Sequence, residues 1–130
     1  MERASVSALA SGARRAIVSC VPPRRIAKII TAATHDRVVV CEAELEHAAR
    51  HFLLPRDLLL DLIERVLTQP TAVYADDTRR PSEYRLFYRL EDGRYILAVV
   101  KLVTDGAYFA SLYPTGRRIR TTHRKFRRVL

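Results

Sequence analysis

Glycine, cysteine and long apolar runs are all scarce in this chain of 130 residues, and each scarcity removes a class of function. Only four glycines are present and none are clustered, so there is no Gly-rich loop to cradle a nucleotide phosphate and no GxSxG turn to present a serine. The two cysteines, Cys20 and Cys41, lack CxxC spacing and form at most one bridge, so the fold has to rest on its core. Cys41 lies in an apolar run, which suits a small buried hydrophobe better than a nucleophile. The densest apolar stretch, Tyr95 to Val103, is interrupted by Lys101 and falls short of the roughly 20 residues a bilayer span needs, so no membrane protein is expected. Gly12, Arg14 and Arg15 interrupt the stretch where a signal peptide would need its apolar core. A cytoplasmic protein without a signal peptide is expected, acting there or after delivery into a target cell.

Acidic side chains are missing from one end. Residues 114 to 130 carry seven basic and no acidic residues, residues 1 to 37 carry seven and two, and residues 38 to 113 carry nine and twelve. The net charge of +9 therefore resides in two terminal arms, an electrostatic footprint suited to a polyanion. The plainer alternative is a solvated tail that aids solubility.

With 48% apolar residues the chain is one ordinary domain with extensions. After an Ala/Ser-rich start, Pro22-Pro23 opens a segment whose Ile26, Ile29, Ile30 and Ala33 follow the i, i+3, i+4, i+7 stripe of an amphipathic helix. Val38 to Cys41 reads as a short strand. A helix over about residues 42 to 53 follows, with Glu42 and Glu44 in its first turn and Leu45, Ala48, Ala49 and Phe52 on its apolar face. Pro55 and Asp57 start a second helix, with Leu59, Leu62, Ile63 and Val66 as its stripe, and Pro70 stops it. Beyond Pro70 the period becomes strand-like: Thr71 to Tyr74, then Tyr84 to Leu90, Tyr95 to Val103 and Ala107 to Tyr113. Glu91-Asp92-Gly93 and Thr104-Asp105-Gly106 each supply the Asp-Gly pair of a tight hairpin. Helices first and strands second predict an α+β fold, with N-terminal helices packed on a C-terminal antiparallel β-meander. The chain divides into a basic, helical extension over 1–37, an α+β domain over 38–118 and a basic arm over 119–130.

Several groupings carry chemical meaning. His47 and His51 are spaced i, i+4 with Glu44 nearby, but Ala48 stands where an HExxH motif needs its base, and no metal or other cofactor is expected. At 100° per residue His47 points almost opposite the apolar stripe, whereas His51 lies roughly 110° from its centre and can reach along a helix–sheet cleft. On the sheet, hairpin parity decides which side chains share a face. If both Asp-Gly loops have two residues, or both have three, Arg85 and Arg89 share a face with Ser111 and Tyr113; Lys101 joins them only with three-residue loops, and mixed loop lengths break the arrangement. Guanidinium groups beside a hydroxyl and a phenol suit a phosphodiester. An ordinary polar sheet face has the same composition.

The segment LEHAARHFLLPRDLLLDLIERVLTQPTAVY, followed by YRLFYRLEDGRYILAVVKL and YFASLYPTGRRI, resembles the phage and bacterial toxin nucleases of the barnase, EndoU, colicin and RelE-like superfamily over about residues 38 to 118. The resemblance pairs a histidine at the end of an early helix with His51, a helix ending before proline with Pro70, a strand cation with Arg89 or Lys101, and a terminal S/T-x-Y with Ser111 and Tyr113. It implies metal-independent ribonuclease chemistry, in which the RNA 2′-hydroxyl attacks the adjacent phosphorus and leaves a 2′,3′-cyclic phosphate. His51 would move a proton, Arg89 with Ser111 and Tyr113 would act on the phosphate, and Arg85, Lys101, Arg117, Arg118 and Arg120 would bind RNA. The implied partners are RNA and a cognate immunity or antitoxin protein. The competing readings are a noncatalytic nucleic-acid-binding module and an antitoxin- or immunity-type interaction subunit.

Overall fold

The computed structural model describes residues 9–11, 13–14, 25–104, 106–120, 123 and 125–130. Of the residues named above, Gly12, Arg15, Cys20, Pro22, Pro23, Asp105 and part of the C-terminal arm lie outside them. Two short strands, β1 (Leu9–Ser11) and β2 (Ala13–Arg14), pair with each other. The rest of the described chain builds one seven-stranded sheet and two helices: β3 (Ile26–Ile30), β4 (Val38–Cys41), α1 (Glu42–Ala49), α2 (Arg56–Thr68), β5 (Ala72–Asp76), β6 (Ser82–Arg89), β7 (Tyr95–Val103), β8 (Gly106–Pro114) and β9 (Arg127–Arg128). No helix among the described residues is long and apolar enough to cross a membrane.

The sheet order is β3-β4-β8-β7-β6-β5-β9, and every neighbouring pair is antiparallel except β4 and β8. This corrects the expected arrangement of N-terminal helices on a C-terminal antiparallel meander. The fold is mostly sheet, the sheet is mixed, and the helices are inserted between β4 and β5, the second and third of its strands in chain order. Residues 26–30 form a strand where the Ile26, Ile29, Ile30 and Ala33 spacing predicts a helix. Five residues rich in isoleucine are too short a stretch for periodicity to separate strand from helix. Pairing decides it here, because β3 lies antiparallel to the β-branched Val38-Val39-Val40 of β4. Only Ile30 of β3 is buried, while Ile26 and Ile29 remain substantially exposed.

β7 is the middle strand, and its two parities serve two cores. Ile96, Ala98 and Val100 face α1 and α2 together with Leu86, Phe109 and Leu112, where Leu45, Leu59, Ile63, Val66 and Leu67 bury the helical stripes. Leu97 and Val99 face the other way with Ala72, Tyr74 and Phe87, and there the cover comes from Ile119 and Phe126 of the C-terminal segment. That segment returns along the far edge, where β9 pairs with β5 and the Val129 N–H donates to the Val73 carbonyl at 2.8 Å.

The hairpin between β6 and β7 brackets residues 91–93, with the Leu90 N–H donating to the Arg94 carbonyl at 2.7 Å and Gly93 at φ +89°. Next to the second hairpin Val103 pairs with Gly106, so that loop has two residues. Unequal loops alone would turn Ser111 away from Arg85. A one-residue bulge opposite Val99 and Val100 restores the parity. The aligned rows across the face opposite the helices are therefore Arg89 and Tyr95; Phe87, Leu97 and Tyr113; Arg85, Val99 and Ser111; and Glu83, Lys101 and Tyr108.

Candidate active site

Helix α1 ends at Ala49, shorter than the expected 42–53, and His51 lies in the turn beyond it, its N–H donating to the Ala48 carbonyl at 3.0 Å. Leu54 precedes Pro55, a position that disfavours helical backbone and helps to separate α1 from α2. Pairing of β4 with β8 covers only Val38 with Ala107 and Val39 with Tyr108, and α1 then packs against β8. The turn after α1 thus reaches the second half of β8. The ring of the exposed His51 stands 6.2 Å from that of Tyr113 and 6.0 Å from that of His47. Among the described residues no group of three or more His, Cys, Asp or Glu side chains is placed to hold a metal ion.

Tyr113 lines a cleft of about 610 Å³ on the helix-free face, with Phe87 in the same row beyond Leu97 and Arg117, Arg118, Arg120 and His123 also lining it. Backbone bonds at the end of β8 set this wall: the Thr115 N–H donates to the Tyr95 carbonyl at 2.8 Å, and the Tyr95 N–H donates to the Gly116 carbonyl at 3.1 Å. The chain then turns over the sheet, and packing of Ile119 on the Phe87 and Leu97 cluster carries the three arginines to the cleft. The Arg117 Nε–H donates to the Asp92 carbonyl at 3.1 Å.

The other strand candidates, Ser111, Arg85, Lys101 and Arg89, lie outside the lining of this cleft. Ser111 lies on the same face, one row from Tyr113. Arg85 shares that row but is buried, its guanidinium 3.1 Å from Glu83 and 3.5 Å from Asp76, with the Phe126 ring stacked on it at 4.6 Å. Arg85 is thus committed to two carboxylates inside the protein. Lys101 is half-exposed and sits 4.0 Å from Glu83, at the end of its strand remote from the Tyr113 row. Arg89 is exposed and lines a second, more apolar cleft with Leu58, Leu62, Tyr88 and Leu90. A Cβ placed on Gly93 would lie 3.6 Å from the Arg89 guanidinium and 3.8 Å from Arg117, so both cations flank one hairpin tip.

Sequence reasoning missed His123. It lies inside the basic run of residues 114–130, where the apolar Ile119 and Phe126 on either side are the one signal of a packed segment. Its ring meets Phe87 edge-on at 5.3 Å. Burial, with the Arg85 and Arg120 guanidinium groups, lowers its pKa below the ordinary 6.5. Two of the arm's cations are occupied elsewhere: Arg127 pairs with Asp77 at 2.9 Å, and Arg128 stacks on Tyr74 at 5.4 Å.

Cys41 is buried and carries no free thiol, so it offers no nucleophile. Comparison with curated proteins and with solved structures finds no match. Comparison with family models matches residues 21–130 to the phage-Barnase-EndoU-ColicinE5/D-RelE like nuclease 2 family.

Proposed function

The chain belongs to the phage-Barnase-EndoU-ColicinE5/D-RelE like nucleases, and we propose that within this family it is a metal-independent, toxin-type endoribonuclease. The observation that carries the reading is the approach of His51 to Tyr113, the tyrosine that lines an arginine-walled cleft. A phosphodiester in that cleft would meet the arginine cations and Tyr113, the residue that His51 approaches. Catalysis of this kind needs a group near neutral pKa to move protons and fixed positive charge where the phosphorane forms.

In the reaction proposed, the RNA 2′-oxygen attacks phosphorus, the bond to the 5′-oxygen breaks, and a 2′,3′-cyclic phosphate remains. His51 acts as general acid/base, while Ser111 and Tyr113 orient the phosphate through their hydroxyls. Arg117, Arg118 and Arg120 neutralise its oxygens and hold the adjoining strand. Between the two strand cations, position favours Arg89. It shares the Gly93 hairpin tip with Arg117, whereas Lys101 lies four residues along β7 from the Tyr113 row, roughly 13 Å at strand spacing. The burial of Arg85 supports an indirect role, in which it keeps Asp76 and Glu83 neutralised beneath the cleft.

The test is to incubate the purified protein with end-labelled RNA in EDTA and to identify the product termini. Cyclic phosphate ends formed without divalent metal, and lost on His51→Ala, support the reading. Binding without cleavage transfers the site to a noncatalytic nucleic-acid-binding role. Cleavage only on addition of divalent metal ends the metal-independent assignment. A chain with this activity implies a cognate immunity or antitoxin partner in the cell that makes it.

A further inference from the structure

The arginine-lined cleft holds a titratable group that the assignment above does not use. The His123 ring packs on Phe87, and its Nδ1 is buried with no hydrogen-bond partner among the described residues. Leaving a buried polar atom unpaired is destabilising, and a catalytic role is one of the reasons a native protein retains such a group. The backbone that carries the ring is anchored on both sides: the His123 backbone N–H donates to the Arg120 carbonyl at 2.9 Å, and the His123 carbonyl accepts from the Phe126 N–H at 3.0 Å.

The groups facing His123 are cationic or neutral. Arg85 approaches from β6 and Arg120 from its own segment, while Tyr113 of β8 and the neighbouring Arg117 and Arg118 line the same cleft. The buried carboxylates of this face, Asp76 and Glu83, are bound to Arg85. Positive surroundings and burial disfavour the imidazolium, so the ring is neutral at pH 7 and ready to accept a proton. His51 is exposed in the turn after α1, its ring 6.2 Å from that of Tyr113.

We propose that His123 is a second proton-transfer residue of this site, the general base that works opposite His51 as general acid. The assignment rests on the ribonuclease reading above. In the step proposed, the RNA 2′-hydroxyl gives its proton to His123 as the O2′–P bond forms. The P–O5′ bond breaks, and the protonated His51 delivers its proton to the departing 5′-oxygen. The two histidines end with exchanged protonation, and solvent returns each to its starting state.

Leaving-group dependence separates the two roles. Wild type, His51→Ala, His123→Ala and His123→Gln are compared on RNA and on uridine 3′-(4-nitrophenyl phosphate), whose phenolate departs without a proton. On RNA all three variants should lose roughly a hundredfold or more. On the nitrophenyl ester His51→Ala should recover most of the wild-type rate, whereas both His123 variants should stay slow. For wild type on this ester, kcat/KM should fall only on the acidic side, with a midpoint below 6.5; that profile tests the base even if the variants fail to fold.

The base role is overturned if folded His123 variants cleave RNA at the wild-type rate, if they recover on the nitrophenyl ester, or if the wild-type profile lacks the acidic limb. In each of those cases cyclic phosphate production by wild type leaves the ribonuclease reading standing. A wild type that cleaves neither substrate overturns both.

Discussion

The ring of His51, in the turn after α1, stands 6.2 Å from the ring of Tyr113 near the end of β8. Strand pairing does not join these residues. Their meeting depends on the parallel junction of β4 with β8, which lets α1 run on beside β8 and deliver its last turn to the tyrosine.

If that meeting serves proton transfer, replacing His51 with alanine should reduce RNA cleavage by roughly a hundredfold or more while leaving thermal unfolding nearly unchanged, since an exposed side chain contributes little packing. His47→Ala should reduce it far less. Initial rates of cleavage for the two variants, with unfolding curves alongside, check the contrast; equal rates for both would remove His51 from the chemistry.

Arg85 predicts the opposite pattern. Removing its guanidinium takes away the one buried counter-charge that Asp76 and Glu83 have among the described residues, leaves them only the more exposed Arg79 and Lys101, and strips the cover from Phe126. Arg85→Ala should lower the thermal midpoint by about 5 °C or more. The salt dependence of RNA binding should stay as in wild type, because this cation is not available to phosphate. Calorimetry and binding titrations at several salt concentrations read the two effects separately.

The cations of the C-terminal segment should divide in the same way. Arg118→Gln with Arg120→Gln should flatten the slope of log affinity against log salt by about 1.4, at ~0.7 per phosphate contact to a single strand. Arg127→Gln should leave the slope alone, since that side chain is held by Asp77. An unchanged slope in the double variant would mean that the cleft does not bind the backbone.

Stability should fall with acid in two stages. His123 and His35 both have pKa values lowered by burial, His35 being packed edge-on against Tyr84 at 4.9 Å. A histidine whose folded pKa lies below 6.5 takes up its proton more readily when unfolded. Its contribution is therefore complete above pH 6.5 and is lost as pH falls through the lower folded value. Asp76, Asp77 and Asp92 are held below 3.8, chiefly by the Thr78 hydroxyl, by Arg127 and by the Arg94 N–H, so their contribution disappears below that value. Thermal midpoints measured from pH 8 to 3 should drop by a few degrees in the first stage. Substitution of both histidines should abolish that stage and leave the second.

What was legible in the sequence follows from which interactions are local. The second helix, with its proline boundaries and four-residue stripe, and the Asp-Gly hairpins are specified by near neighbours, and α2 and β6 to β8 lie close to where those signals place them. The strand at 26–30 was misread because its partner lies beyond an intervening loop. The shared face of Arg85, Ser111 and Tyr113 was inferred from equal loop lengths. It arises from unequal loops and a bulge that no turn motif announces. His123 was illegible because its environment is made by residues distant in sequence: Phe87 below it and Arg85 beside it.

The parallel junction has a kinetic consequence. The hairpins from β5 to β8 need only short loops to close, so this half of the sheet can assemble early without either histidine in position. Joining β4 to β8 requires closing a loop that contains both helices and three strands, the costlier and slower event. A partly folded chain therefore displays strands and arginines before His51 has reached Tyr113. If the proposed mechanism holds, activity measured during refolding should lag behind the appearance of β-structure.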